Sequence, residues 1–419
     1  MRFFSFLNTR QNLYPIILTG IQYVAIACFL LFDWISVIGV RRKTHSKRHV
    51  LIVRLDLIGD FVLWLPAARA LRNLFPSDHW HVTLVANTSW ADLAVRQVNF
   101  DEVWPVDVLR LGQSPAYRLR IFQRVRAACF DVAIQPTYSR EMLRGDAVIR
   151  VSAAQKRIGS QGDCSNISCW LKRITDRWYT QLIHADTQPM TELRRNAEFV
   201  KGMGCQCDVG LAKLQVDHES LPTILYGAQF FVLFPGASTQ GKRWPLERFA
   251  QVAQYVSSQY GWQGVICGGS SEQLLGEHLC RMAAVPLLNL VGKTSLMQLV
   301  EVLAHARLVL TNDTSAAHIG PAVGSPTVCI LGGGHFGRFL PYDSPDASLV
   351  LSTVSAHMNC FGCNWCCIYG AKSHTPFPCV KNVSIIKVQK AILDVLPTTG
   401  ASKNLTGSGY ARKRTDPLL

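Results

Sequence analysis

Four polar stretches of this 419-residue chain follow apolar runs and carry residue types that could do chemistry. They are Leu55–Asp60 (LDLIGD), Pro235–Trp244 (PGASTQGKRW), Gly268–Glu272 (GGSSE) and Thr311–Ser315 (TNDTS). In the last, caps of a short small-residue helix, Ala316–Val323, stand between apolar strands at Leu308–Leu310 and Thr327–Leu331. Backbone N–H groups at such a strand-to-helix turn suit a diphosphate. Asp313, Thr314, Ser315 and His318 are its candidate ligands; the alternatives are a plain helix cap and a packing histidine. In the second stretch, Ser238 and Thr239 offer hydroxyls and Lys242 and Arg243 offer charge. Lys242 could neutralise negative charge growing on a departing diphosphate, which is electrostatic catalysis without a metal. Asp60 ends the first stretch. A carboxylate facing an anion-binding surface suits a general base on an attacking hydroxyl, and an N-cap for Phe61–Leu74 is the competing role.

The elements needed to position these residues read as two tandem α/β halves. Apolar runs at His49–Arg54, His81–Ala86, Val103–Val106 and Phe130–Gln135 alternate with helical patterns at Phe61–Leu74 and Ala116–Ala128. The pattern restarts with strands at Phe230–Phe234, Gly264–Cys267 and Leu287–Val291, and helices at Pro245–Gln259 and Ser295–His305. Such alternation predicts parallel, doubly wound sheets, whose ligands lie beyond the carboxyl ends of the strands. Gln161–Gln188 lacks a clear period and reads as an insertion facing a substrate. The expected divisions are residues 1–48, an apolar segment with a basic flank; 49–227, a first Rossmann-like domain; 228–396, a second; and 397–419, a disordered basic tail.

Lys and Arg total 43 against 28 Asp and Glu, a formal charge of +15, and 48% of residues are hydrophobic. This balance calls for an anionic partner. With no zinc-finger pair, RRM signature or aromatic-interleaved basic stripe, a membrane surface is expected rather than nucleic acid. Leu13–Phe32 is apolar and long enough to span a bilayer, or to lie on one as a helical hairpin. Arg41, Arg42, Lys43, Lys47 and Arg48 follow it and favour the cytoplasmic side. Several of the 14 cysteines sit in apolar strands, as expected of reduced thiols. Cys360, Cys363, Cys366 and Cys379, with Cys367, His357 and His374 nearby, have knuckle-like spacing. A structural zinc, a disulfide and free thiols all remain open there.

Taken together, RLDLIGDFVLWLPAARAL, FPGASTQGKRWPLERF and VGKTSLMQLVEVLAHARLVLTNDTSAAHIGPAVGSPTV resemble glycosyltransferase family 9. This is the family of the ADP-heptose:lipopolysaccharide heptosyltransferases, and the resemblance runs from about His49 to Leu396. It implies a GT-B fold, two Rossmann-like domains facing across a cleft, and inverting, metal-independent transfer with no cofactor. It implies Asp60 as base, Lys242 on the donor diphosphate beside Ser238 and Thr239, and Thr314, Ser315 and His318 on diphosphate and sugar. Glu272 is assigned to the nucleoside. Ser315 stands where these enzymes usually have Gly. The expected partners are ADP-heptose, a lipopolysaccharide or related glycolipid acceptor, and the cytoplasmic face of an inner membrane. Another nucleotide sugar in O-antigen or capsule assembly, a nucleotide-sugar epimerase and a non-catalytic scaffold are the alternatives. The I-G-D and K-x-W motifs speak against the last two.

Overall fold

The structure is a computed structural model, and it describes residues 26–41, 45–98, 100–216, 220–343, 350–369 and 375–396. After a helix over residues 26–35 (α1), the first half runs β1 (Arg48–Arg54), α2 (Ile58–Asn73), β2 (Trp80–Asn87), α3 (Ala91–Gln97), β3 (Glu102–Val106), α4 (Val108–Gln113), α5 (Pro115–Ala127), β4 (Val132–Gln135), α6 (Ala147–Ser152), β5 (Lys156–Ser160), α7 (Cys169–Asp176), β6 (Gln181–Ile183) and α8 (Glu192–Gly202). The second runs β7 (Phe230–Phe234), α9 (Leu246–Tyr260), β8 (Gln263–Ile266), α10 (Gln273–Met282), β9 (Leu287–Asn289), α11 (Leu296–His305), β10 (Val309–Asn312), α12 (Ala316–Ala322), β11 (Thr327–Ile330), β12 (Leu351–Val354), α13 (Pro378–Lys381) and α14 (Ile385–Val395).

Each half is built on a six-stranded parallel sheet. The orders are β3-β2-β1-β4-β5-β6 and β12-β11-β10-β7-β8-β9. Counted from its own first strand, the second order is the first again, so both are doubly wound. The central strands are apolar throughout because helices cover both faces of each sheet. The last five residues of β1 are buried, and all of β7 is. Strand order reverses between β1 and β4 and between β7 and β10, which puts the crevices of the two sheets at those strand ends.

The halves also share apolar packing. Phe61, Trp64 and Leu65 of α2 belong to the same buried cluster as Leu303 of α11 and Ile319 of α12. The backbone N–H of Leu214 donates to the carbonyl of Ala322 at 2.9 Å across the junction.

Two sequence expectations change, and a third lies mostly outside the described residues. Gln161–Gln188 is not a loose insertion: α7 and β6 lie inside it, and β6 completes the first sheet. Both elements are too short to show a period. Asp60 is the third residue of α2, not its cap; Leu57 is the N-cap, and its N–H donates to Asp60 Oδ2 at 3.2 Å. No helix among the described residues is long and apolar enough to cross a membrane. Of the apolar run Leu13–Phe32, residues 13–25 lie outside the described residues. The basic tail, 397–419, also lies outside them.

Candidate active site

The two reversal points face each other. A Cβ built on Gly59 would stand 3.1 Å from His318 Cδ2 and 3.8 Å from the Cα of Ser315. The first turn of α2 therefore abuts the first turn of α12, and the missing side chain of Gly59 eases this close approach. Asp60 follows immediately. The I-G-D and D-T-S-A-A-H motifs, distant in sequence, form one floor.

The first half makes this floor acidic. Arg54, at the end of β1, is buried among carboxylates: its Nε lies 2.6 Å from Asp56 Oδ2, and its Nη2 lies 3.9 Å from Glu192 Oε1. Its Nη1 donates to Asn196 Oδ1 at 3.2 Å, and its guanidinium stacks over Trp64. Asp60 sits beside this cluster, largely enclosed by protein while keeping some surface. Enclosure raises its pKa to about 7, with the negative charges of Asp56 and Glu192 adding to the effect. Arg54 and the Leu57 N–H oppose them without cancelling. A carboxyl group tuned to this range can take a proton near neutral pH.

Glu192 also ties the halves together. Its N–H donates to the carbonyl of Arg338 at 2.7 Å, and Arg338 Nε lies 3.5 Å from its Oε2. Beside this cluster, Asp56, Thr137, Ser139, Glu141 and Arg144 line a recess at the ends of β1 and β4. Burial raises the pKa of Glu141, and the Arg144 guanidinium, 2.7 Å from it, opposes the shift.

The second half makes its floor from amides, glycines and cations. Buried Asn312 at the end of β10 donates from Nδ2 to the carbonyls of Pro235 and Gly236, at 2.8 and 3.2 Å. Its Oδ1 accepts from the Trp244 N–H at 3.1 Å. One side chain thus clamps both ends of Pro235–Trp244, leaving Ser238 and Thr239 exposed and Lys242 half-buried. Burial lowers the Lys242 pKa, and the charge of Asp313 counters it. Asp313 is correspondingly raised by its own burial, with Lys242 opposing. Thr314 Oγ1 lies 3.0 Å from Thr311 Oγ1 and accepts from the Ala316 N–H at 3.3 Å, so it braces the start of α12; the N-cap is Ser315. Glu272 overhangs the same loop. Its Oε2 accepts from the Gly269 N–H at 3.1 Å, and a Cβ on Gly236 would collide with its carboxylate. His318 is 4% exposed, with Nδ1 2.7 Å from the Tyr342 hydroxyl. Burial lowers its pKa to about 4, so it is neutral at physiological pH.

The sequence reading missed Arg54, Asp56, Glu192, Asn312 and Trp365. Trp365 carries the Lys242 ammonium over its ring, 4.2 Å from the centroid. It reaches there because Gly332 and Gly334 let the indole lie against the backbone, while Phe361 covers Gly333. The cysteine-rich stretch therefore folds onto the Pro235–Trp244 loop. Cys360, Cys363, Cys367 and Cys379 line one small recess with Trp365 and Phe377, whereas Cys366 is exposed. Among the described residues no group of three His, Cys, Asp or Glu is placed to hold a metal ion, so the zinc staple is not supported. Aromatic rings of this stretch pack on the glycines, and His374 lies outside the described residues. Cys164 and Cys169 are paired as a disulfide, whereas Cys129, Cys267 and Cys329 are free thiols, as expected of them.

Comparison with known proteins bears on the family and the fold. The family model described as glycosyltransferase family 9 (heptosyltransferase) matches residues 118–364, more than half of the chain. The chain is 27% identical over 311 residues to the lipopolysaccharide core heptosyltransferase OpsX of Haemophilus influenzae, covering 72% of this chain and 84% of that one. It is 32% identical over 116 residues to lipooligosaccharide heptosyltransferase 2 of the same species; that match spans 26% of this chain and only 33% of the relative. Among solved structures, the E. coli heptosyltransferase WaaC with ADP-2-deoxy-2-fluoro heptose superposes with a TM-score of 0.58 at 20% identity. The superposition covers 83% of this chain and 99% of that one.

Proposed function

The chain belongs to glycosyltransferase family 9, the heptosyltransferases, and from that premise we propose that it moves heptose from ADP-heptose to a hydroxyl of a lipopolysaccharide core or related glycolipid. The acceptor hydroxyl approaches from the side of the first half. Asp60 takes its proton as the oxygen attacks the anomeric carbon. The bond from that carbon to the diphosphate breaks on the opposite face, so the anomeric configuration inverts. ADP leaves with the bonding electron pair, and Lys242 meets the growing negative charge, with Ser238, Thr239, Thr314 and Ser315 beside the diphosphate. Because the chain's own cations meet this charge, the reading needs no metal. Glu272 is assigned to the nucleoside.

The observation that carries the reading is the contact of Gly59 with His318 and Ser315, which sets Asp60 against the donor-side floor. The pKa of about 7 at Asp60 supports its assignment as base. The donor is supported by the ADP-heptose analogue bound to the E. coli enzyme, and the acceptor class by the likeness to OpsX.

The test is transfer by the purified chain to a heptose-deficient lipopolysaccharide, with ADP-heptose, UDP-, GDP- and dTDP-sugars compared in EDTA. The expected result is turnover of ADP-heptose alone, with inverted anomeric configuration by NMR. Turnover of another donor, retention of configuration or loss of activity in EDTA would each refute the corresponding part.

A further inference from the structure

The helix α1 is inside out. Its exposed positions are Ala27, Cys28, Leu31, Trp34 and Ile35, continued by Ile38 in the turn that follows. These fall on one helical face, and the face is apolar. Leu31, Trp34, Ile35 and Ile38 are each more than half exposed, at 56, 57, 54 and 59%. The polar residues point the other way: Asp33 is 1% exposed and Ser36 6%.

The orientation is fixed by charge pairing. Arg118 of α5, itself buried, donates from Nε and Nη2 to the two oxygens of Asp33, both at 2.6 Å. Its guanidinium also packs against the Phe29 and Phe122 rings. Turning the helix over would strand a buried arginine, so the pair holds the apolar face outward. A helix bathed in water on that side has the opposite pattern.

Cations flank the outward face. Arg126 and Arg150 line a recess together with Trp34, Val37 and Ile38, and Arg41 is exposed at the end of the turn. Aromatic and aliphatic side chains rimmed by arginine match the interface of an anionic bilayer, where the rings enter the acyl boundary and the cations meet phosphates. A second copy of the chain fits less well, because pairing two such faces brings like-charged rims together.

We propose that α1 and the turn through Arg41 form a monotopic docking element, lying in the surface of an anionic membrane without crossing it. Arg118 extends the consequence. Its Nη1 donates to the Leu143 carbonyl at 2.8 Å, in the turn whose Arg144 and Gly145 line the recess at the ends of β1 and β4. One arginine thus braces both the docking helix and the acceptor-side recess. That link to the acceptor rests on the transferase reading; the docking itself does not.

The test is co-sedimentation of the full chain with phosphatidylglycerol-containing vesicles and with phosphatidylcholine vesicles, without donor or acceptor, so its outcome is independent of catalysis. Binding to the anionic vesicles is expected, reduced about tenfold or more in the Trp34→Glu, Ile38→Glu double variant. Arg150→Glu should weaken binding less and leave it less sensitive to salt. Both replaced apolar residues are exposed, so thermal stability of the double variant should match the parent. If that variant fails to fold, Leu31→Ser with Ile35→Ser interrogates the same face. Parent-like vesicle binding by a folded variant of this face would overturn the proposal. So would no binding by the parent, or a parental dimer that the variant dissociates.

Discussion

The two halves share one strand order and differ in charge at the strand ends that matter. At the reversal point of the first sheet, Asp56, Asp60 and Glu192 crowd around a single buried arginine, Arg54. At that of the second, Asn312 clamps a loop bearing Lys242 and Arg243, each of which has a carboxylate beside it, Asp313 and Glu272 respectively. Topology puts a crevice at both places. Side chains set what each crevice can do: enclosure, reinforced by an excess of carboxylates, raises the pKa of Asp60, whereas amides and lysine at the other suit an anion. On the proposed reading, the same fold, used twice, divides proton transfer from diphosphate binding.

The sharpest way to break this division is Asp60→Asn. Removing the base should lower kcat by about 10³-fold while leaving donor affinity within a few-fold. The same variant should be more stable at alkaline pH. Asp60 has a higher pKa folded (about 7) than its ordinary 3.8, so the folded state loses stability as pH rises from that ordinary value through the folded one. Replacing it relieves that loss, and a Tm increase of about 2 °C at pH 8, absent at pH 4, is the expected reading by calorimetry.

Lys242→Ala touches the other half. It should lower kcat/KM by about 10²-fold and weaken donor binding, as stopped-time assays and titration would measure. Normal donor affinity in this variant would remove Lys242 from the diphosphate. The pH profile sharpens the contrast further. Parental kcat/KM should rise with pH and level above about 7, as Asp60 ionises. Arg54→Met removes the cation that opposes this shift, so the rising limb should move to higher pH. It should also cost about 3 kcal/mol in denaturant unfolding, because Asp56 and Glu192 lose their shared partner. The smallest effect is expected of Gly59→Ala. Its Cβ would meet His318 Cδ2 at 3.1 Å, which the junction can relieve by a few tenths of an ångström. A loss of about threefold in kcat, with the pH profile unchanged, fits a floor that is slightly parted rather than rewired.

Much of this was legible in the sequence, for a physical reason. Buried parallel strands are continuous apolar runs, so β1, β7 and β10 announce themselves, and the polar loops at their ends follow at once. That is why Asp60, Lys242, Glu272 and Thr314 could be singled out. What surrounds them was not legible. The environment of Asp60 is assembled from Arg54 on β1, Asp56 in the next loop and Glu192 on α8, which only folding brings together. Trp365 reaches Lys242 across a glycine triplet whose role as a platform has no local sign. The run QPTYSRE after β4 is polar like the other strand ends and could have flagged the recess of Thr137, Ser139 and Glu141. The orientation of α1 was hidden for the opposite reason: a nearly uniform apolar segment has no face until Asp33 finds Arg118.

The most direct test of the divided site is calorimetric titration of ADP-heptose into the parent, Asp60→Asn and Lys242→Ala, side by side. The division predicts near-parental affinity for Asp60→Asn and a loss of tenfold or more, about 1.4 kcal/mol, for Lys242→Ala. Equal losses in both, or a loss confined to Asp60→Asn, would contradict it.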